Sequence, residues 1–342
     1  MQTSAALPLH IETACIHSIP LSRLLPAEVQ GQQRPVYLKL ENTQPSNSFK
    51  LRAIGNLCAK AVARGGCVRF VSSSGGNAGY AAAVAARMLG LPVHVVLPTS
   101  TPGFMRELIE SEGAIVTVYG SAWDEAHAHA LELAAEPGSV YIPPFDHPDL
   151  WEGTSTLVDE LFRQLPEKPA VIAVAVGGGG LLAGVVEGLH RVGNAAWKDV
   201  PVIAVETAGA DSLAKSVEAG ELVTLPAITS IAKSLGAKRV AERAFQLARE
   251  HPVICQVVPD ASATRAVVQF AEHHHMVVEP ACGAALAALY DSLLASDSVQ
   301  KAISNVSGIS ASAPIVVVVC GGNVVTLDML ASWRTAACSP PS

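Results

Sequence analysis

The sequence predicts an α/β protein of two lobes, each built on a parallel sheet. Three observations lead there. Half of the 342 residues are hydrophobic, yet aromatics are 5% and charged residues 15%, so the core must be Ala, Val, Leu and Ile, which suits buried strands covered by helices. From residue 68 onward short apolar runs alternate with helical patterns. The turn-rich stretch PPFDHPDL, residues 143–150, then interrupts the series before it resumes.

In chain order, VRFVS reads as a strand and NAGYAAAVAARMLG as a helix closed by Gly90. PVHVVLP is again strand-like, TPGFMRELIESEG is a helix stopped by Gly113, and AIVTVYG alternates as a strand does. WDEAHAHALELAAE is a helix and VYIPP the last strand of this lobe, which is expected to span 46–149. Residues 1–45 and 150–342 are assigned to the larger lobe. There STLVDELFRQL sets Leu157, Val158, Leu161, Phe162 and Leu165 on one helical face, and AVIAVAV, VPVIAVE, HPVICQVV and APIVVVVC supply strands. No internal repeat, low-complexity tract or appended regulatory module is evident.

The formal net charge of −7 argues against nucleic acid or an anionic membrane as partner and leaves small molecules as the expected ligands. No apolar run is long enough to span a bilayer, and the first twenty residues lack the basic and apolar regions of a secretory signal. Seven cysteines, with no C-x-x-C pair, favour free thiols in a reducing compartment. A soluble cytoplasmic protein is expected. The run His273-His274-His275 has no Cys or acidic partner at ligand spacing and reads as an exposed helix end.

The most specific chemical signal is VAVGGGGLLAGV. Gly177, Gly178, Gly179 and Gly180 lie between a strand and a helix, where bare backbone N–H groups can converge on a phosphate. A tight turn explains one or two of these glycines, and four favour a ligand. No Lys follows, so this is not a nucleotide P-loop. A second loop, SSSGGNAG, also joins a strand to a helix; Asn77 is by default an N-cap, but the hydroxyls, amides and Asn side chain also suit a carboxylate and a phenolic oxygen. A third strand delivers Cys320 before Gly321, Gly322 and Asn323. Ligands of open α/β sheets bind at such carboxyl ends, so the three turns are expected to share one crevice between the lobes. With Lys50 nearby in NSFKLR, a phosphate-bearing aldehyde held as a Schiff base is the cofactor these groups suggest.

PSNSFKLR, SSSGGNAG, VGGGGLLAGV, EPACGAALAALY and VVCGGN together resemble the serine/threonine dehydratases of the pyridoxal-phosphate β-family, fold type II (tryptophan synthase β-like). The resemblance spans essentially the whole chain. WDEA, PPFDHP, TLPAITSIAKSLGAK and the cysteine of VVCGGN narrow it to the animal-type serine dehydratases, especially the serine dehydratase-like proteins. It implies that Lys50 is the Schiff-base lysine and the base at the substrate α-carbon. Phe49 and Ser234 would flank the pyridine ring, Gly177–Gly180 would hold the phosphate, Asn77 the ring hydroxyl, and Cys320 would face the ring nitrogen. Ser73, Ser74, Gly75, Gly76 and Asn77 would form the substrate loop, taking the amino-acid carboxylate.

By the same resemblance a potassium ion would be held by Glu206, Ser212 and the carbonyls of Gly177, Ala210, Leu235 and Ala237, a hard-cation set of oxygens. Without it, Glu206 reads as a solvated charge at a strand end and EPACGAAL as a helix start with no chemistry. Gly75 departs from the racemases of this fold, which place a serine there, so racemisation is expected to be weak or absent. The glycine also removes a contact and leaves room in the loop, so the resemblance leaves catalytic efficiency open. The implied activity is elimination of water from L-serine, and from L-threonine, giving pyruvate or 2-oxobutyrate and ammonia, by a homodimer. The alternatives are β-replacement or sulfur-amino-acid chemistry on the same cofactor, and a weakly active cofactor-binding regulatory protein. Cys320 argues against the former, because cysteine synthases generally carry serine or threonine at that position.

Overall fold

The computed structural model describes residues 8–25 and 34–338; the start of the chain and the tail after Cys338 lie outside the described residues. The chain falls into two compact units. One contains Thr43–Thr154 and the described residues up to Ile11; the other contains Glu12–Asn42 and runs on from Ser155. The first unit thus takes in the segment around Leu9, whose side chain packs over Gly55, whereas 46–149 was expected from the sequence.

The first unit carries four parallel strands, Arg69–Ser72, Val93–Leu97, Ile115–Val118 and Ser139–Ile142. Their spatial order is third, second, first, fourth. The chain therefore builds outward from Arg69–Ser72 and then returns to its other side. That reversal is a topological switch point, and ligands of open α/β sheets bind outside the strand ends that flank it. The helix Asn77–Leu89 is buried along Asn77–Ala86, and its alanines allow close packing on the helix Lys50–Arg64. It ends where Gly90, at φ 68°, adopts the left-handed conformation that glycine reaches without strain.

The second unit holds six strands in the order Cys15–His17, Val36–Lys39, Ile315–Val318, Val171–Ala175, Val202–Thr207 and Val253–Val258. All neighbours are parallel except the first pair. Here the switch falls between Val171–Ala175 and Ile315–Val318, which pair directly, with Val317 opposite Ala173. The helix Pro280–Tyr290 is apolar on every side and buried from Pro280 to Leu289, as a helix packed on all faces must be. Among the described residues no helix is long and apolar enough to cross a membrane.

Candidate active site

The loops at the two switch points carry most of the residues singled out from the sequence. In the first unit the strand Arg69–Ser72 runs into Ser73–Gly76, and Ser139–Ile142 runs into Pro143-Pro144. Lys50 is the first residue of its helix, and its Nζ donates to the Pro144 carbonyl at 2.6 Å. The ammonium also lies 5.1 Å from the centroid of the Phe49 ring. Phe49 caps the helix with no side-chain bond, and Asn47 turns the chain into it at φ 53°, a conformation Asn tolerates better than most residues. The lysine therefore points at a flanking strand end, half-buried.

The Ser73–Asn77 loop differs in two respects from the sequence reading, at Asn77 and at Gly75. Asn77 is not the cap: Gly76 occupies that place, in an extended conformation, and Asn77 begins the helix with its side chain buried. Ser74 Oγ accepts the Gly76 N–H at 3.3 Å, whereas Ser73 is buried and directs its hydroxyl to Tyr141 Oη at 2.8 Å. The room expected at Gly75 is filled: a Cβ there would stand 2.5 Å from Thr101 Oγ1 and 2.7 Å from its Cγ2. Gly79, on the first helical turn, is needed because a side chain would strike the Ser74 carbonyl.

In the second unit the strand Val171–Ala175 leads into the glycines. Gly179, at φ 87°, caps the helix Gly180–Ala195, whose leading amides have no intrahelical acceptor and concentrate positive potential. A Cβ on Gly177 would stand 2.9 Å from Leu235 Cα and 3.0 Å from the Ser234 carbonyl; one on Gly179 would meet Ala244 and lie 2.9 Å from Val240 Cγ2. Close packing thus demands two of the four glycines, and it brings Ser234 and Leu235 to the cradle. The bare backbone at a helix head fits a phosphate, and half-buried Lys50 fits an aldehyde.

Cys320 follows Ile315–Val318 and is buried. A hydrogen bond with the Cys282 thiol, then burial, then the charge of Glu279 push its pKa well up, so it stays a neutral thiol. Glu279 Oε2 accepts the Val324 N–H at 3.1 Å, and the Glu279 N–H donates to Gly321 O at 3.3 Å. EPACGAAL thus braces the Cys320 turn, a role its sequence did not reveal.

Glu206 is no solvated charge. It is fully buried within its strand, and its two oxygens accept the Leu213 and Ala214 N–H groups at 2.9 and 2.7 Å. Burial pushes its pKa up to about 7 against the opposing pull of those bonds. Ser212, also buried, has no hydrogen-bond partner for its Oγ, and an orphaned buried hydroxyl beside a buried carboxylate fits a hard cation. Ala210 closes a tight turn onto Thr207, with N–H to carbonyl at 2.8 Å, and the Ala237 N–H binds Leu235 O at 2.8 Å. The His run is more than an exposed end: His274 stacks on Phe270 and bonds Ser18 Oγ at 2.8 Å.

The residues missed by the sequence reading are Pro144, Thr101, Tyr141 and Cys282. No signal in the sequence singled them out.

The chain is 48% identical over 328 residues to the L-serine dehydratase/L-threonine deaminase of Bos taurus, covering 96% of this chain and 95% of that one. It is 47% identical to the serine dehydratase-like protein of Rattus norvegicus, over 94% of this chain and 96% of the other. The crystal structure of a fungal L-serine ammonia-lyase from Rhizomucor miehei superposes with a TM-score of 0.85 at 39% identity, covering 96% of this chain and 99% of that one. The model of the family described as pyridoxal-phosphate dependent enzyme matches residues 8–321. With Lys50 and the Gly177–Gly180 turn each at a sheet's switch point, the chain belongs to the pyridoxal-phosphate dependent enzymes.

Proposed function

We propose that this protein is an L-serine and L-threonine dehydratase, eliminating water across the α and β carbons to give pyruvate or 2-oxobutyrate and ammonia. The observation that carries the reading is Lys50 at the switch point of the first unit, its Nζ 2.6 Å from the Pro144 carbonyl and next to the Ser73–Asn77 loop in the fold. The likeness to the bovine dehydratase supports the choice of reaction.

Pyridoxal phosphate, when bound, supplies an aldehyde for amines and an electron sink for the substrate α-carbon. Lys50 Nζ would be the amine that holds it, and as a free amine beside the substrate would be the base for the α-proton. The amides of Gly177–Gly180 would bind the phosphate, Phe49 and Ser234 would border the ring, and Asn77 would hold the ring hydroxyl. Cys320 presents a neutral thiol to the ring nitrogen and so adds no negative charge there. Such a partner would not hold a proton on that nitrogen as a carboxylate does, which would make the ring a weaker electron sink. The Ser74 hydroxyl and the loop amides bind the substrate carboxylate.

A potassium ion at Glu206 and Ser212, with the carbonyls of Gly177, Ala210, Leu235 and Ala237, completes the second-unit site in this reading. The raised pKa of Glu206 and the orphaned Ser212 hydroxyl support it. A homodimer rests on the resemblance alone. A cytoplasmic location likewise rests on the sequence reading alone.

Purified protein supplied with pyridoxal phosphate and potassium should release one keto acid and one ammonia per L-serine or L-threonine consumed. Conversion only when a thiol co-substrate is added, with the thiol incorporated, would instead establish β-replacement.

A further inference from the structure

Behind the substrate loop lies a cluster that the reaction as described does not use. Ser73 Oγ and Tyr141 Oη are 2.8 Å apart, Tyr141 Oη and His127 Nδ1 are 2.9 Å apart, and Ser73 Oγ is 3.4 Å from the same nitrogen. Ser73 is buried, Tyr141 and His127 are half-buried, and the His127 ring stacks on Trp123 at 4.5 Å. Three groups share these contacts, and the protons can be assigned by satisfaction. A phenol and a hydroxyl each carry one proton to donate. If His127 Nδ1 accepts from Tyr141, Tyr141 can accept from Ser73, and every proton has an acceptor. If Nδ1 instead donates, it no longer accepts, and one of the two hydroxyl protons, that of Ser73 or that of Tyr141, finds no acceptor in this cluster.

We propose that His127 and Tyr141 are positioning residues for the substrate loop: the chain Ser73 O–H to Tyr141 O–H to His127 Nδ1 fixes the loop that takes the amino-acid carboxylate, and protonation of His127 disrupts it. This rests on the reading of Ser73–Asn77 as the carboxylate subsite. The chain ties the end of the central strand to the helix Trp123–Ala134 and to the strand Ser139–Ile142, so the loop leaves its strand at a pinned residue.

The surroundings of His127 favour its neutral form. Burial lowers its pKa and Asp124, on its own helix, opposes this. Burial also raises the Tyr141 pKa, so the phenol keeps its proton. The other strands packed on this helix bring Arg69 and His94, but Arg69 is engaged by Glu136, Ser139 and the Leu133 carbonyl, and His94 by Thr117. Once His127 is protonated at acid pH, Nδ1 becomes a donor and the chain loses its terminal acceptor, leaving one hydroxyl proton unpaired within it.

The test uses the full-length enzyme with cofactor. Tyr141→Phe should raise the KM for L-serine about tenfold at neutral pH with kcat changed less than about twofold, the scale of one buried hydrogen bond. His127→Asn, whose side-chain oxygen can replace Nδ1 as acceptor without titrating, should keep the neutral-pH KM and abolish the rise in KM that the wild type shows as pH falls. An activity-independent reading comes from NMR titration of the labelled His127 imidazole, identified by its loss in His127→Asn; its pKa should rise in Tyr141→Phe. An unchanged KM in Tyr141→Phe, an acid limb that survives in His127→Asn, or a His127 titration indifferent to Tyr141 each overturns the proposal. If no keto acid forms even in the wild type, the dehydratase reading fails, and the imidazole titration alone then decides whether the chain exists.

Discussion

The loops after Ser72 and Ile142 present hydroxyls, an amide and, through Lys50, an ammonium, whereas the loops after Ala175 and Val318 contain five glycines and a thiol that stays neutral. In the proposed reading the first unit would act mainly through side chains, and the second would bind the phosphate through backbone. Side-chain chemistry needs a particular functional group, and its loss removes a reaction step. Backbone chemistry needs the absence of a Cβ, and its loss disturbs packing as much as binding.

The largest effect should fall on the side-chain region. Lys50→Ala should lower turnover of L-serine by at least about 10³-fold, as expected for a residue that is both nucleophile and base, measured as pyruvate release. In the backbone region Gly179→Ala should cost about 1–3 kcal/mol of stability, from a left-handed residue given a side chain and from overpacking against Val240 and Ala244. Thermal unfolding without cofactor reads it directly, and an unchanged Tm would break the contrast. Gly75 sharpens it, being a glycine in the side-chain region. Gly75→Ser should lower kcat/KM about tenfold because Thr101 occupies the space, and Gly75→Ser with Thr101→Ala should recover part of the loss.

The smallest effect is electrostatic. Burial raises the Glu206 pKa to about 7 in the folded chain, above its unfolded value, so the folded state holds this proton more tightly. Its stabilising contribution is full below the unfolded pKa and is lost as pH rises toward 7. Without potassium, wild type should lose on the order of 1 kcal/mol relative to Glu206→Gln across that window, and potassium should restore it by favouring the ionised form. Chemical denaturation of both proteins at matched pH values measures the difference.

The alternation of strands and helices was legible because parallel strands and their covering helices write their burial into apolar runs. The positions of Lys50 and of the glycines were legible for the same reason, since they stand at the edges of those runs. What lay hidden depends on contacts between segments distant in the chain. Thr101 fills the space at Gly75 only because the strand Val93–Leu97 neighbours Arg69–Ser72. Cys282 reaches Cys320 only because a helix that reads as featureless packs beneath the sheet end. Glu206 looked solvated because one charged residue in an apolar strand gives no sign of the helix amides that receive it.

Borohydride reduction of the protein with pyridoxal phosphate, followed by peptide mass mapping, tests the central claim most directly. The account predicts a single pyridoxyl-phosphate adduct on Lys50, displaced when L-serine is present before reduction. An adduct on another lysine, or none, would contradict it.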